Sequence, residues 1–205
     1  MTIFVESRWI IRIGDHFASA NLHRKTAILW CLSPVSSDAR IGLGMYTESD
    51  LFQRFDDLGV ETSTVDHAAV FTVEEAKAGR GDLTGAHSKN LFLKDKKQQL
   101  WLVVCLEDRQ IDMKTLRHKI GAAALSFAKP DLLQEVLGVT PGSVTPFSLI
   151  NDIENCVRVI LDAELMSDDF LNFHPLTNTR TTQISPGGLL RFILSCGHEP
   201  RVVNL

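Results

Sequence analysis

The chain has few cysteines, no long apolar run and no excess of basic residues. Its four cysteines are widely spaced and form no C-x-x-C pair: Cys31, Cys105, Cys156 and Cys196. This pattern favours free thiols in a reducing compartment over a disulfide framework. No apolar stretch approaches the roughly 20 residues that cross a bilayer, so we expect a cytoplasmic protein with no membrane partner. The formal net charge of −4 argues against a basic face that coats nucleic acid, DNA in particular.

Several sequence motifs of other chemistries are also missing. Gly42-Leu-Gly44 lacks the flanking strand, the helix and the third glycine of a dinucleotide site. Cys196 and His198 are too few for zinc, which takes three or four protein ligands. The chain contains no G-x-S-x-G nucleophile elbow and no phosphate-binding P-loop. We therefore expect no metal and no cofactor.

The first 44 residues differ in charge from the rest of the chain. They carry five basic residues and three acidic ones, a net of +2, so residues 45–205 carry −4 − 2 = −6. They have no secretory signal pattern. The interpretation is an N-terminal extension, residues 1–44, outside a folded domain of residues 45–205. A domain of that size buries enough surface to fold without metal or disulfide.

Helix and strand signals follow one another along this domain. Capping residues at Thr47, Asp112, Pro130 and Ser185 begin helices that stop at Gly59, Gly121, Gly138 and Gly197. Short runs rich in β-branched and aromatic residues predict strands at 60–65, 87–95, 99–106, 125–128, 157–161, 170–173, 179–184 and 202–203. The order shows no strict βαβ alternation. It favours an α+β fold, with a largely antiparallel sheet or barrel flanked by helices.

Lys89 stands out in the strand predicted at 87–95. Because side chains alternate across a strand, Lys89 shares a face with Leu91 and Leu93, whereas Asn90 shares the other face with Phe92. A lysine on an apolar face at a strand's start is compatible with the mouth of a pocket. On spacing alone, a solvated edge lysine whose stem covers apolar surface is the more common arrangement.

Two further features could carry chemistry. The stretch 139–147 holds two prolines and a glycine, which forbid a regular helix or central strand. Its Gly142 and Ser143 could present backbone N–H groups to a carbonyl or phosphate, or the stretch could be a rigid connector. His174 follows a predicted strand and titrates in the range useful for proton transfer, although a lone histidine is more often structural.

Taken in order, the motifs resemble the YbaK/prolyl-tRNA-synthetase-associated editing family, and within it the freestanding alanyl-tRNA(Pro) deacylases. The matching segments are TVEEA at 72–76, GAHSKNLFLKDKK at 85–97, GVTPGSVTPFSLIND at 138–152, FHPLTNT at 173–179 and LLRFILSCGHEP at 189–200. The resemblance covers residues 45–205 and begins abruptly at Met45. The run SKNLFLKD followed by PGSVTPF and FHP is a specific combination.

This resemblance implies a compact barrel-like α+β fold and metal-independent hydrolysis of an aminoacyl ester at the 3′ end of tRNA. It also implies that Lys89, Asn90 and His174 occupy the family's functional positions. The loop 138–147 would then shape the amino-acid pocket, through Gly138, Gly142, Ser143, Pro146 and Phe147. Selection by size suits such an enzyme, because a synthetase separates amino acids one methylene apart by only ~1–3 kcal/mol.

Substrate and partners follow from the same resemblance. Relatives acting on cysteinyl-tRNA(Pro) tend to have threonine after the lysine, whereas Asn90 stands there in this chain, which favours the alanyl ester. The expected partners are the acceptor end of tRNA and prolyl-tRNA synthetase. The alternatives are a deacylase of cysteinyl-, seryl- or another aminoacyl-tRNA, and a non-catalytic tRNA- or synthetase-binding module on the same fold.

Overall fold

The computed structural model describes residues 44–69 and 84–205. All but the last residue of the predicted N-terminal extension lies outside the described residues. The α-helices are α1 (Glu48–Asp57), α2 (Met113–Ile120), α3 (Pro130–Leu137) and α4 (Pro186–Ser195). The strands are β1 (Thr62–Asp66), β2 (Ala86–Asp95), β3 (Leu100–Leu106), β4 (Leu125–Phe127), β5 (Val157–Asp162), β6 (Leu171–Phe173), β7 (Arg180–Ile184) and β8 (Arg201–Val203). Short 3-10 helices cover Pro146–Asn151 and Leu165–Ser167.

Capping side chains set where the helices begin. Thr47 and Asp50 form a capping box, in which the Thr47 side chain accepts from the Asp50 amide and the Asp50 carboxylate accepts from the Thr47 amide at 2.7 Å. Asp112 accepts from the Thr115 amide at 2.8 Å at the start of α2. Pro130 opens α3, where its missing N–H costs no hydrogen bond. The predicted helix starts are confirmed at these three positions.

The strands of the described residues form one mixed eight-stranded sheet. The strand order is β1-β7-β6-β2-β3-β5-β8, and β4 pairs with β2. The β2–β3 hairpin is antiparallel, as predicted, and so are the β1–β7, β6–β7 and β2–β4 pairs. The β2–β6, β3–β5 and β5–β8 pairs are parallel. The predicted α+β class is confirmed, with more parallel pairing than the sequence indicated.

The two faces of β2 pack against two different hydrophobic cores. Phe92 belongs to the larger core, together with Phe147 and Phe192. Leu93 belongs to a smaller core with Trp101 and the helix α2. The alternation of side chains along β2 therefore decides which of the two cores each residue meets.

The cysteines only partly follow the sequence-based expectation. Cys105 and Cys196 are free thiols. Cys156 is not a free thiol, so the prediction is wrong at this residue, and Cys31 lies outside the described residues. None of the helices in the described part of the chain is long and apolar enough to cross a membrane.

Candidate active site

The start of β2 borders a gap in the sheet. On one edge β2 pairs with β3 from Ser88 to Lys94. On the other edge it pairs with β6 only at Ala86 and His87, and with β4 only from Leu93 onward. No described strand covers this second edge along residues 88–92. A gap in a sheet leaves room for a loop, or for a ligand, to reach the strand.

Asn90 connects this gap to the proline- and glycine-containing loop. Its side-chain Nδ2 donates to the Val144 carbonyl at 2.9 Å and lies 3.5 Å from the Ser88 hydroxyl. Ser88 in turn donates to the Asn172 carbonyl on β6 at 3.2 Å. The Asn90 Oδ1 is buried and has no hydrogen-bond partner among the described residues. A buried acceptor without a partner is costly in a native fold, so this oxygen is suited to a donor group on a ligand.

Lys89 lies on the opposite face of β2 from Asn90. Its ammonium group donates to the backbone carbonyl of Arg109, in the turn after β3. The side chain is partly buried, and an ammonium has three N–H donors. The structure thus brings Asn90 to the loop and places Lys89 across the strand from it.

An ion-pair network that the sequence analysis missed anchors the Lys89 contact. The Arg109 guanidinium binds Asp162 at 3.1 Å and also pairs with Glu164. The Asp162 side chain is fully buried, so its charge depends on Arg109 for compensation. In the sequence, Arg109 lies in a charged turn and Asp162 ends an apolar strand. Nothing in either segment indicates that the two residues form an ion pair.

Cys105 lies opposite Lys89 in the β2–β3 pair and is not a nucleophile. Burial raises the pKa of the Cys105 thiol to about 11, although the Lys89 charge acts in the lowering direction. A thiol with so high a pKa carries almost no thiolate at neutral pH. Cys105 is therefore a core residue, as the sequence indicated.

The predicted loop residues divide into a core part and an exposed part. Phe147 is fully buried and its ring contacts the rings of Phe55, Phe173 and Phe192 at centroid distances of 5.0, 5.5 and 5.6 Å. Pro146 is buried beside it at the start of the 3-10 helix. Both residues are buried and anchor the loop to the hydrophobic core.

Of the two backbone N–H groups predicted to face a ligand, those of Gly142 and Ser143, one forms a hydrogen bond within the turn at the tip of the loop. The Ser143 amide donates to the Thr140 carbonyl at 3.0 Å, so this N–H is already satisfied. Gly142 has φ +91°, which is the conformation such a turn requires at this position. It is exposed at the tip, which leaves Gly142 as the candidate for a backbone contact with a ligand.

Gly138 has a structural role in this arrangement. It ends α3 with φ +67°, and a Cβ at this position would meet Asn151 Nδ2 at 2.8 Å. Asn151 Nδ2 donates to the Leu137 carbonyl at 3.0 Å and Asn151 Oδ1 accepts from the Tyr46 amide at 2.7 Å. Gly138 thus lets Asn151 tie the end of α3 to the segment before α1.

We expect Gly138→Ala to destabilise the protein by roughly 1–2 kcal/mol, the usual cost of a left-handed conformation for a residue with a Cβ, with a further contribution from the displaced Asn151. A thermal melt measures the effect. Gly187→Ala is the matched control, because a Cβ there meets nothing within 4 Å. An unchanged melting temperature with a lost catalytic rate would instead assign Gly138 to substrate binding.

His174 directly follows β6. The strand β6 pairs in parallel with the start of β2, with Ala86 opposite Leu171 and His87 opposite Asn172. His174 Nδ1 is 2.8 Å from the Arg180 carbonyl, and a carbonyl only accepts, so Nδ1 carries the proton. In the neutral ring Nε2 then holds the lone pair.

The environment of His174 favours this neutral form. Burial lowers the pKa of His174, the bond to the Arg180 carbonyl raises it, and the charge of His67 lowers it further. At neutral pH the imidazole can therefore accept a proton at Nε2. Asn90, the exposed Gly142 and His174 are thus an acceptor, a candidate backbone contact and a base, which are the kinds of group that ester hydrolysis uses.

Comparisons with known proteins agree with this description. Residues 67–192 match the model of the aminoacyl-tRNA editing domain family, which includes the TVEEA segment outside the described residues. The chain is 40% identical over 166 residues to the prolyl-tRNA synthetase associated domain-containing protein 1 of Mus musculus, covering 78% of this chain and 98% of that protein. It is 34% identical to the prolyl-tRNA editing protein ProX of Acetoanaerobium sticklandii, covering 80% of this chain and 100% of that protein.

A solved structure supports the fold. The crystal structure of a candidate trans-editing enzyme for prolyl tRNA synthetase superposes with a TM-score of 0.58 at 19% identity, covering 79% of this chain and 99% of that one. At this identity the likeness concerns the fold alone. The family match and the relatives confirm the resemblance drawn from the sequence motifs, and the chain belongs to the aminoacyl-tRNA editing domain family.

Proposed function

We propose that this protein is a trans-editing deacylase that hydrolyses mischarged tRNA(Pro), with alanyl-tRNA(Pro) as its preferred substrate. The observation that carries the proposal is Asn90, whose Nδ2 holds the Val144 carbonyl while its buried Oδ1 is without a partner among the described residues. The name of the Acetoanaerobium relative, a prolyl-tRNA editing protein, supports the same activity.

In this proposal, Asn90 recognises the amino acid of the substrate. The α-ammonium of an aminoacyl ester is a donor, and the unpartnered Asn90 Oδ1 is an acceptor. The loop that Asn90 holds would close over the side chain and admit small residues such as alanine. Asn90 in place of the threonine typical of cysteinyl-specific relatives supports the alanyl ester.

Lys89 serves a different part of the same substrate. It lies on the opposite face of β2 from Asn90. One ammonium donor goes to the Arg109 carbonyl in the turn after β3, and the remaining donors can bind a phosphate of the tRNA 3′ end. A substrate that reaches both side chains would be held by its phosphate at Lys89 and by its amino acid at Asn90.

The hydrolysis needs a base, a water molecule and stabilisation of the oxyanion. His174 Nε2 accepts a proton as the water oxygen attacks the ester carbonyl, and the Gly142 backbone contacts the oxygen that gains charge. The acyl–oxygen bond then breaks, the 3′ oxygen takes the proton that His174 Nε2 had accepted, and alanine and intact tRNA are released. By analogy with the family, the adenosine 2′-hydroxyl assists. The scheme uses no metal.

A panel of aminoacyl esters tests the substrate. In single-turnover assays we expect alanyl-tRNA(Pro) to be hydrolysed much faster than cysteinyl- or seryl-tRNA(Pro), and prolyl-tRNA(Pro) to survive. Faster cleavage of the cysteinyl or seryl ester would overturn the choice of alanine while keeping the enzyme class. Failure to accelerate any ester would favour the non-catalytic binding module.

The catalytic unit that we propose is residues 45–205, acting in the cytoplasm on the tRNA acceptor end and in association with prolyl-tRNA synthetase. The hydrogen bond from the Tyr46 amide to Asn151 Oδ1 supports this boundary, because it joins residue 46 to the body of the fold. A chain of residues 45–205 should melt within a few degrees of the full chain and keep its rate of hydrolysis. A large loss of melting temperature would show that residues 1–44 are needed for folding.

A further inference from the structure

We propose that His67 is a positioning residue for His174, which fixes the ring of His174 and keeps it neutral in the proposed deacylase. His67 directly follows β1, whose last residue pairs with Arg180 of β7. The His67 amide donates to the Thr179 carbonyl at 2.8 Å. The two imidazole rings lie 5.8 Å apart between centroids, at an interplanar angle of 53°.

Hydrogen bonds hold both nitrogens of His67. Nδ1 is 2.7 Å from the Ala68 carbonyl, so it carries a proton. Nε2 is 2.9 Å from the Thr181 hydroxyl, which donates to it when the ring is neutral. With both nitrogens engaged, the ring is locked and presents a fixed surface to His174. The Arg180 carbonyl fixes the other side of His174 through Nδ1.

The same arrangement disfavours a positive charge on His174. Two imidazolium rings at this distance repel each other, so His67 acts together with burial to lower the pKa of His174. Within residues 44–69 and 84–205, Arg180 of β7 is a charged residue in direct contact with this pair, through its carbonyl at His174 Nδ1. Its guanidinium is paired with Glu48 of α1 and Asp66 of β1. Lys89 of β2 donates to the Arg109 carbonyl.

The consequence for the reaction follows from the protonation state. Only neutral His174 can take a proton at Nε2, so a lower pKa extends activity towards acidic pH. Without His67, His174 would stay protonated to a higher pH, and its ring would lose one neighbour. His67 thereby acts through His174 and touches neither the ester nor the water.

The test is an NMR titration of the His174 ring, which needs no substrate. In His67→Gln, which is neutral, we expect His174 to titrate at a higher pH than in the wild type. His67→Phe keeps an aromatic ring without a charge and should shift the titration in the same direction. His118→Gln is the control, because His118 is exposed on α2, and it should leave the His174 titration unchanged.

The rate of alanyl-tRNA(Pro) hydrolysis, measured across pH, gives the second readout. In both His67 variants the acidic limb of the profile should move to higher pH together with the His174 titration. An unshifted His174 titration in both variants would overturn the inference, as would a shifted titration with an unchanged pH profile. Because the titration is independent of substrate, a failure of the proposed function and a failure of this inference are separate results.

Discussion

Replacing Lys89 with alanine is expected to slow single-turnover hydrolysis of alanyl-tRNA(Pro) by a factor of about 100, the usual effect of removing one preorganised electrostatic contact. The ammonium is held in place by the Arg109 carbonyl, and Arg109 is itself fixed by the buried carboxylate of Asp162. A charge held in this way binds a phosphate without first having to be ordered, which is why its loss should be large.

The matched control for this prediction is Lys94→Ala. Lys94 lies on the same strand and is also partly buried, but at the far end of the hairpin. It should leave the rate unchanged. Lys89→Ala itself should change the free energy of unfolding by no more than about 3 kcal/mol, the upper end of the usual contribution of one hydrogen bond from a charged group. A wild-type rate in a folded Lys89→Ala variant would remove Lys89 from the proposed mechanism.

Substitution of Asn90 should reduce the rate of hydrolysis as much as substitution of Lys89 does, for a different reason. Asn90→Ala removes the donor that holds the Val144 carbonyl and the buried acceptor that we propose binds the substrate. Asn90→Asp keeps the shape but sets a carboxylate oxygen against the Val144 carbonyl, so two acceptors face each other. We expect both variants to be slower by roughly 100-fold or more, since each removes a positioned polar contact.

The two Asn90 variants are measured beside Asn204→Ala, whose side chain is exposed near the end of the chain. The control should retain the wild-type rate. If Asn90→Asp keeps the rate while Asn90→Ala loses it, the contact with Val144 is dispensable and only the acceptor matters. If both variants hydrolyse the ester at the wild-type rate, Asn90 has no part in the site.

The helix boundaries were readable from the sequence because capping is local chemistry. Thr47 with Asp50, Asp112 with Thr115, and Pro130 each act within one turn of the chain. The glycines that stop the helices likewise act through their own backbone angles. The predicted strands needed only small shifts, for example from 60–65 to Thr62–Asp66.

The arrangement of the site was harder to predict from the sequence, because it depends on contacts between segments that are distant along the chain. Alternation along β2 correctly put Lys89 and Asn90 on different faces, but it left open whether the Lys89 face borders a pocket. The contact with the loop, at Val144, is on the Asn90 face. That choice is made by packing of the 3-10 helix against the larger core, which no local pattern encodes.

Contacts over long sequence separations explain the other differences. Arg109 and Asp162 are 53 residues apart, and His67 and Thr181 are 114 apart. The parallel pairing of β3 with β5 and of β5 with β8 is equally non-local. In the sequence alone, each of these residues looks like an ordinary surface or core residue, because its partner is distant along the chain.

One measurement tests the central claim most directly. Single-turnover hydrolysis of alanyl-tRNA(Pro) is compared between the wild type and the double variant Lys89→Ala/Asn90→Ala, with thermal melts confirming that both are folded. The account predicts that the wild type deacylates the tRNA and that the double variant loses the activity. A wild-type protein that leaves the ester intact, or a double variant that hydrolyses it at the wild-type rate, would contradict the account.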